Sequence, residues 1–206
     1  MTPAEVETAA RRKVNALSSS FWSQLEIMDY IYQACLEMAR EALVIENTYT
    51  TTSVSAQQEY AQPTNAIGIK RITYNGQKVE PITFRQADEM SLSNAVVTAA
   101  GTPSGYAVFD ETIYFYPTPS DSTSTIKILA YVEPQAVTST SVLEIPTQFH
   151  MDLVDKVVSE MYAKDENFEM AQWFDARWEK AKLNAKKWKA KQKRGDAPAS
   201  VHDEGC

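Results

Sequence analysis

The sequence predicts an α+β protein in which a helical bundle, formed by both ends of the chain, carries an inserted antiparallel β module. Apolar residues recur at helical spacing near both ends, whereas the middle of the chain holds short alternating runs bounded by proline, glycine and asparagine. These observations divide the 206 residues into N-terminal helices at 1–46, the β module at 47–134, C-terminal helices that complete the bundle at 135–194, and a flexible tail at 195–206.

Two capping boxes predict the N-terminal helices. In the TPAE sequence at residues 2–5, the threonine and the glutamate can each satisfy a backbone N–H that lacks a helical partner, and proline suits the first turn. This helix is expected to run to about Leu17. The SQLE sequence at residues 23–26 repeats the pattern and predicts a second helix that runs to about Val44.

The second predicted helix has apolar residues on two of its sides. Two stripes indicate contacts in two directions, as in the middle of a bundle or at an interface between subunits. Its cysteine, Cys35, is interpreted as a packing residue and not as a reactive thiol. The candidate interface residues are Leu25, Met28, Ile31 and Tyr32.

Turn signals punctuate the middle of the chain. Asn75-Gly76 lies between two β-prone runs, and both residues tolerate the positive φ angles of a type I′ hairpin turn. Asp110-Glu111 is predicted as a second tight turn. Residues 84–94 are expected to form one short helical turn between them.

The most regular pattern in the chain predicts a long C-terminal helix. Its apolar residues lie alternately three and four positions apart over about two and a half heptads, which favours a partner helix. They are Ala171, Phe174, Trp178, Ala181, Ala185 and Trp188. The other sides of the helix are basic and carry Arg177, Lys180, Lys182, Lys186, Lys187, Lys189 and Lys191.

The charge of the chain is divided unevenly. Its net charge is −7, but residues 1–176 carry 11 basic and 23 acidic side chains, whereas residues 177–206 carry 9 basic and 4 acidic ones. Such asymmetry is typical of a basic segment with a partner of its own.

No catalytic, metal or cofactor site is predicted. His150 has Asp152 and Asp155 two and five positions away, and neither is well placed beside it on a helix. Two histidines and two cysteines supply no ligand pairs, and the sequence contains no Walker, GxGxxG or GxSxG motif. No apolar run approaches the ~20 residues that cross a bilayer. We therefore expect a protein that is not an enzyme and has no cofactor.

The basic C-terminal helix has three interpretations. It is a solvated face, a nucleic-acid grip that neutralises phosphates, or a docking element whose tryptophans enter a groove. We favour docking because Trp and Arg are typical interface anchors. The candidate docking residues are Arg177, Trp178, Lys182, Lys186, Trp188 and Lys189.

Four short motifs occur in order between about residues 20 and 193. A Tyr-x-x-Pro strand precedes the hairpin, a Gly-x-Pro-x-x-Tyr segment leads to an aromatic strand ending in Tyr-Pro-x-Pro, and an Ile-Pro begins the C-terminal helices. The residues are Tyr60 and Pro63; Gly101, Pro103 and Tyr106; Tyr116, Pro117 and Pro119; and Ile145 and Pro146. In this order the chain resembles the head-to-tail adaptor, or connector, proteins of tailed bacteriophages.

The resemblance implies a structural protein of the virion neck, assembled in the host cytoplasm. Its copies, about twelve, would close into a ring that needs two different complementary faces on each subunit. The implied partners are the portal protein, a downstream tail or nozzle protein, other copies of the chain, and DNA that passes through the lumen without specific binding. An acidic lumen would not hold DNA, although salt screens charges beyond ~8 to 10 Å.

The resemblance also implies roles for the candidate residues. The docking residues of the basic helix would bind the portal, and the two predicted turns would face the tail: Asn75, Gly76, Asp110 and Glu111. Two alternatives stay open. One is a nucleic-acid-binding module that acts through the basic C-terminal helix, and the other is another neck or tail ring component such as a stopper.

Overall fold

A computed structural model of the protein describes residues 1–17, 20–93 and 100–195. Most of the predicted flexible tail, together with His202 and Cys206, lies outside these residues. In chain order the elements are α1 (Pro3–Lys13), α2 (Gln24–Ala42), β1 (Glu46–Thr52), β2 (Glu59–Ala61), β3 (Ala66–Tyr74), β4 (Gln77–Pro81), α3 (Phe84–Ser93), β5 (Gly105–Phe109), β6 (Thr112–Tyr116), β7 (Thr125–Val132), a short 3₁₀ helix (Thr147–Phe149), α4 (His150–Lys164) and α5 (Phe168–Gly195).

The chain divides into two compact units. One, which we call the helical unit, takes in Met1–Ile45 and the residues from Glu133 onward. The other, which we call the sheet unit, is Glu46–Val132.

The predicted starts of α1 and α2 are confirmed. The Thr2 hydroxyl accepts a hydrogen bond from the Glu5 N–H at 3.2 Å, and the Glu5 carboxylate accepts one from the Thr2 N–H at 2.8 Å. The Ser23 hydroxyl accepts from the Glu26 N–H at 3.2 Å. Each bond satisfies an N–H that has no partner within the helix. The first helix ends at Lys13, earlier than expected.

The core of the helical unit lies between α2, α4 and α5. Both α2 and α4 pack against α5, and the Ser159 hydroxyl donates to the Ala171 carbonyl at 2.9 Å where α4 and α5 meet. Five of the six residues of the predicted heptad seam are buried, namely Ala171, Phe174, Trp178, Ala181 and Ala185. The seam therefore finds its partner helices within its own chain.

The sheet unit contains one seven-stranded sheet within the described residues, in the order β1-β7-β3-β4-β5-β6-β2. Neighbouring strands are antiparallel except β4 and β5, which are parallel, with Glu80 opposite Gly105 and Pro81 opposite Tyr106. Apolar side chains from several strands are fully buried in this unit, among them Ile72, Ile113, Phe115 and Ile126.

The predicted fold, a helical bundle with a small inserted antiparallel β module, is wrong. Within the described residues the structure is α+β with five α-helices and a seven-stranded mixed sheet. Parallel neighbours need a crossover connection of a dozen or more residues, and residues 82–104 between β4 and β5 supply it. This segment contains α3, a ten-residue helix where the sequence analysis expected a single turn.

Both predicted hairpin turns are present. Asn75 and Gly76 have φ of 49° and 82° between β3 and β4, and Asp110 and Glu111 have φ of 45° and 58° between β5 and β6. Because β4 and β5 run parallel, the turn that precedes β4 and the turn that follows β5 lie at opposite ends of the strands. The topology therefore does not bring the two turns together.

Candidate functional site

Helix α5 carries most of the residues that the sequence assigns to docking. Its 28 residues extend over about 42 Å at 1.5 Å per residue. Its inner face packs in the helical unit and its outer face is exposed. Whether a candidate residue is accessible to a partner therefore depends on which face of α5 it occupies.

Trp178 lies on the inner face of α5 and is fully buried. Its indole N–H donates to the Glu37 carboxylate of α2 at 3.0 Å. A buried indole N–H without a partner is costly, and Glu37 removes that cost. Trp178 therefore joins α5 to α2 within the subunit.

Lys182 is one helical turn further along, and only 4% of its side chain is exposed. Its ammonium group pairs with Glu37, with Glu41 at 2.7 Å and with Glu179 at 2.8 Å. Burial acts to lower the pKa of Lys182, but the hydrogen bonds to these three carboxylates outweigh it and raise the pKa above its ordinary value. The lysine is therefore held as a cation beneath the surface.

Glu41 also binds a second lysine of α5. Its other carboxylate oxygen accepts from the Lys186 ammonium at 2.7 Å. The hydrogen bonds from Lys182 and then Lys186 lower the pKa of Glu41. Two carboxylates of α2, those of Glu37 and Glu41, thus pair with two of the lysines of α5, Lys182 and Lys186.

Arg177 is partly exposed, yet it is engaged within the subunit. Its Nε donates to the Asp155 carboxylate of α4 at 2.8 Å, and Lys13 of α1 binds the other oxygen of the same carboxylate. The Arg177 guanidinium also lies 4.8 Å from the centre of the Trp173 ring. Arg177 therefore fixes α4 to α5 and covers an exposed tryptophan.

Trp188 and Lys189 lie near the C-terminal end of α5. The Trp188 ring is half-buried and meets Phe149 edge to face, with 5.6 Å between ring centres. Lys189 is buried, with its ammonium group 6.0 Å from the Trp188 ring centre. Of the six predicted docking residues, the structure thus buries Trp178, Lys182 and Lys189 and leaves the other three accessible.

The outer face of α5 carries a second regular pattern that the sequence analysis missed. Trp173 is 53% exposed and Leu183 is 51% exposed. With two further exposed residues they follow the spacing three, four, three, which places them on one face of the helix. We call this set the α5 outer stripe: Trp173, Ala176, Lys180 and Leu183.

The predicted interface residues of α2 separate into two groups. Met28 and Ile31 are buried in the helical unit, whereas Leu25 is 80% exposed and Tyr32 is half-buried. Leu25 and Tyr32 belong to a set spaced four, three, four along α2, with an exposed aspartate and a half-buried leucine. We call this set the α2 outer stripe: Leu25, Asp29, Tyr32 and Leu36.

The residues considered for catalysis or metal binding, His150 and Cys35, are both buried. His150 is buried and its Nε2–H donates to the Ile145 carbonyl at 2.7 Å. Burial raises the pKa of the Cys35 thiol to about 12, so it stays protonated at neutral pH. No group of three His, Cys, Asp or Glu side chains that could hold a metal occurs among the described residues. In the same part of the chain, no helix combines the length and apolarity that a bilayer crossing requires.

The tail-facing candidates all belong to the sheet unit. Asn75, Gly76, Asp110 and Glu111 are exposed at their hairpin turns. Since the turns occupy opposite ends of the strands, a partner that contacts one end reaches only one of them.

Comparison with known protein families identifies the chain. A family model described as SU10 adaptor protein matches residues 1–202, which include both compact units. No curated protein matches the chain. The family match confirms the resemblance that the order of short motifs predicts. The chain belongs to the SU10 adaptor protein family, which is a family of phage head-to-tail adaptors.

Proposed function

We propose that copies of this chain close into a ring between the portal and the tail of a phage particle, and that DNA passes through that ring. As a phage adaptor the chain is a structural, virion-associated protein. The main support for a ring between portal and tail is the family match over residues 1–202, because this match includes residues of both the helical unit and the sheet unit.

The exposed apolar side chains of the helical unit support association. Leu25 on α2 and Trp173 and Leu183 on α5 all lie more than half exposed. Large apolar side chains that recur along a helix face in a monomer indicate a surface that another molecule covers. A closed ring, which we propose to contain about twelve copies, needs two such surfaces on each subunit, and two helices supply them.

We place the portal contact on the last turns of α5. Lys186 and Lys187 are exposed there, and Trp188 is half-buried beside them. Tryptophan with neighbouring cations is a common interface anchor. Trp178 and Lys182 support this contact from inside, because they hold α5 against α2.

The charge pattern supports a ring through which DNA passes without being bound. Three of the cations of α5, Lys182, Lys186 and Arg177, are paired with carboxylates of the helical unit. The chain as a whole carries a net charge of −7. This pairing weighs against a nucleic-acid-binding module that acts through α5, since phosphate binding would have to displace internal ion pairs.

Co-sedimentation with purified portal rings of the same phage tests the proposal. We expect the unchanged chain to pellet with the portal and Trp188→Ala to lose most of this binding. Phe168→Ala is the matched control, because Phe168 is an exposed aromatic residue at the opposite end of α5. If the unchanged chain stays in the supernatant, the adaptor proposal is wrong; if Trp188→Ala still binds fully, the portal contact lies elsewhere.

The hairpin turns of the sheet unit are our candidates for the tail contact. Asn75-Gly76 and Asp110-Glu111 are each exposed, and they lie at opposite ends of the strands. We therefore propose that only one of the two turns contacts the tail protein. Grafting a neutral Gly-Asn pair into each turn separately should reduce tail attachment in one variant and leave it unchanged in the other.

A further inference from the structure

The two hairpin turns of the sheet unit have different surroundings. Four large apolar side chains of this unit are exposed among the described residues, namely Val54, Phe84, Val108 and Phe109. Three of them adjoin Asp110-Glu111, because Val108 and Phe109 precede this turn in the chain and the Phe84 ring lies 6.0 Å from the Phe109 ring, centre to centre. The neighbours of Asn75-Gly76 in the chain are a buried tyrosine and a glutamine.

The exposed rings form a cluster on one face of the β5–β6 hairpin. Phe109 lies opposite Thr112 and Ala107 opposite Tyr114, so these four residues share a face. Phe84 of α3 meets both aromatic rings edge to face, with 5.4 Å between its centre and that of Tyr114. Phe109 is 64% exposed and Phe84 is 37% exposed. Contiguous exposed apolar side chains indicate a surface that another molecule covers.

The free carboxylates of the sheet unit are those near this cluster. Eight side chains of the unit are carboxylates, and four of them are engaged within it. Glu46, Glu80 and Glu89 form ion pairs with lysine or arginine, and Asp121 accepts hydrogen bonds from Tyr74 and Ser124. The other four are exposed and form no ion pair within the described part of the chain: Glu59, Asp88, Asp110 and Glu111.

The positions of these carboxylates follow from the strand register and from α3. Glu59 of β2 lies opposite Tyr114 of β6, on the face that carries the rings. Asp88 is one helical turn after Phe84 in α3, and its charge, after burial, helps to raise the pKa of Tyr116 at the end of β6. We call the six residues at the turn the hairpin patch: Glu59, Phe84, Phe109, Asp110, Glu111 and Tyr114.

The turn holds its two carboxylates against the local conformational preference. Type I′ turns favour Asn-Gly because both central residues have positive φ, and Asn75-Gly76 follows this preference. Asp110 and Glu111 have φ of 45° and 58°, in a region where a glutamate is less favourable than glycine. Residues held in such conformations cluster where a protein meets other molecules.

We infer that the hairpin patch is the tail contact, and that it binds a segment of the tail protein that carries arginine or lysine side chains. The inference rests on the proposed function, which assigns the tail contact to one of the two hairpin turns. Aromatic rings attract cations and carboxylates pair with them, and an arginine side chain makes both contacts at once. The same carboxylates repel phosphates, so a nucleic acid is not the expected occupant.

Replacing the turn separates binding from folding. Asp110→Asn with Glu111→Gly removes both carboxylates and installs the residues that the turn geometry prefers, so the unfolding midpoint should stay the same or rise. Tail attachment should nevertheless fall roughly fivefold or more. Glu46→Gln with Glu80→Gln is the matched control, because it removes the same charge from two exposed positions outside the patch and should leave attachment within about twofold.

The aromatic part of the patch is tested separately. Phe109→Ala should also lower tail attachment roughly fivefold or more, since it removes the most exposed ring. Val54→Ala is its control, because Val54 is 46% exposed in the same unit but does not belong to the patch. This variant should attach tails as the unchanged chain does.

Each variant is assembled on portal rings of the same phage and mixed with tails purified from that phage, and electron microscopy counts the complexes that carry a tail. Attachment by the unchanged chain should weaken between about 50 mM and 500 mM salt, and that of the turn variant should depend less on salt. Full attachment by the turn variant, or a loss confined to variants of Asn75-Gly76, would overturn the inference and leave the ring proposal intact. Loss of ring assembly on the portal in the patch variants would also overturn it, because the patch would then join copies of the chain. If the unchanged chain recruits no tails, the proposed link to the tail is wrong and the inference fails with it.

Discussion

The indole N–H of Trp178 donates a hydrogen bond to the carboxylate of Glu37 at 3.0 Å, across the boundary between α5 and α2. These two residues are 141 positions apart in the chain, so the bond joins its two ends. The tryptophan that the sequence alone assigns to docking thus holds the helical unit together. Surfaces that meet other molecules must be sought on the opposite side of the same helix.

Removing this tryptophan should destabilise the helical unit. We expect Trp178→Ala to lower the free energy of unfolding by about 3 to 5 kcal/mol, because it leaves a large cavity and an unpaired Glu37. Urea denaturation followed by circular dichroism measures the change. Trp173→Ala, five positions earlier and 53% exposed, is the control and should change stability by less than about 1 kcal/mol. Equal effects of the two substitutions would show that Trp178 is not buried.

The buried lysine should be sensitive to substitution in a way that an exposed one is not. We expect Lys182→Ala to cost about 1 to 3 kcal/mol of unfolding free energy, because Glu37 and Glu41 lose the cation that compensates them. Lys180→Ala should cost no more than about 0.5 kcal/mol, since Lys180 is exposed on the outer face. Thermal unfolding of the two variants side by side makes the comparison, and a larger loss for Lys180→Ala would contradict the assignment of faces.

Local signals in the sequence predict local structure well. The capping box at Thr2, the N-cap hydrogen bond of Ser23 and the turn at Asn75-Gly76 each depend on a few neighbouring residues, and all three form. The heptad seam around Trp178 predicts a buried helix face, because its spacing alone requires a partner.

Non-local pairing explains what the sequence could not predict. The parallel contact of β4 with β5 depends on how α3 crosses between them, and no residue in either strand encodes that direction. The pairing of Lys182 with Glu37 joins residues far apart in the chain. The sequence therefore assigned Lys182 and Lys186 to docking, although both pair with carboxylates of α2. The α5 outer stripe was not recognised in the sequence because two of its four residues, Ala176 and Lys180, are not large apolar residues and so give no regular apolar pattern.

The stability of the helical unit should fall as the pH is lowered below about 6.5. Burial lowers the pKa of His150 below its ordinary value of 6.5, and the hydrogen bond to the Ile145 carbonyl only partly opposes this. Well above pH 6.5 the ring is neutral in both the folded and the unfolded chain, so the full stability is present. As the pH falls, the unfolded chain takes up the proton first, and stability is lost with a slope of at most about 1.4 kcal/mol per pH unit.

Denaturation curves between pH 7.5 and pH 5.5 check this dependence. The His150→Gln variant should show a flatter profile than the unchanged chain, whatever its absolute stability. The other histidine of the chain provides the control, and His202→Gln should keep the original slope. If both variants retain the slope, another group is responsible.

Strand β1 forms one edge of the sheet, and the direction of its N–H groups can be tested with proline. The Ser53 N–H donates to the Ser124 carbonyl at 2.8 Å, on the side of β7. Because N–H groups alternate along a strand, the N–H of Thr51 also points to β7 and that of Thr50 points away. The Thr48 N–H, which has the parity of Thr50, accordingly donates to the Asn47 side chain and not to β7.

We therefore expect Thr51→Pro to destabilise the sheet unit by about 2 kcal/mol or more, because it removes a hydrogen bond between β1 and β7 and leaves a carbonyl of β7 without its donor. Thr50→Pro removes only an N–H that faces solvent, and proline is tolerated at such positions of edge strands. Hydrogen exchange of the β7 amides measures both effects. Protection should fall in Thr51→Pro and persist in Thr50→Pro, and the reverse result would mean that β1 pairs with β7 in a register shifted by one residue.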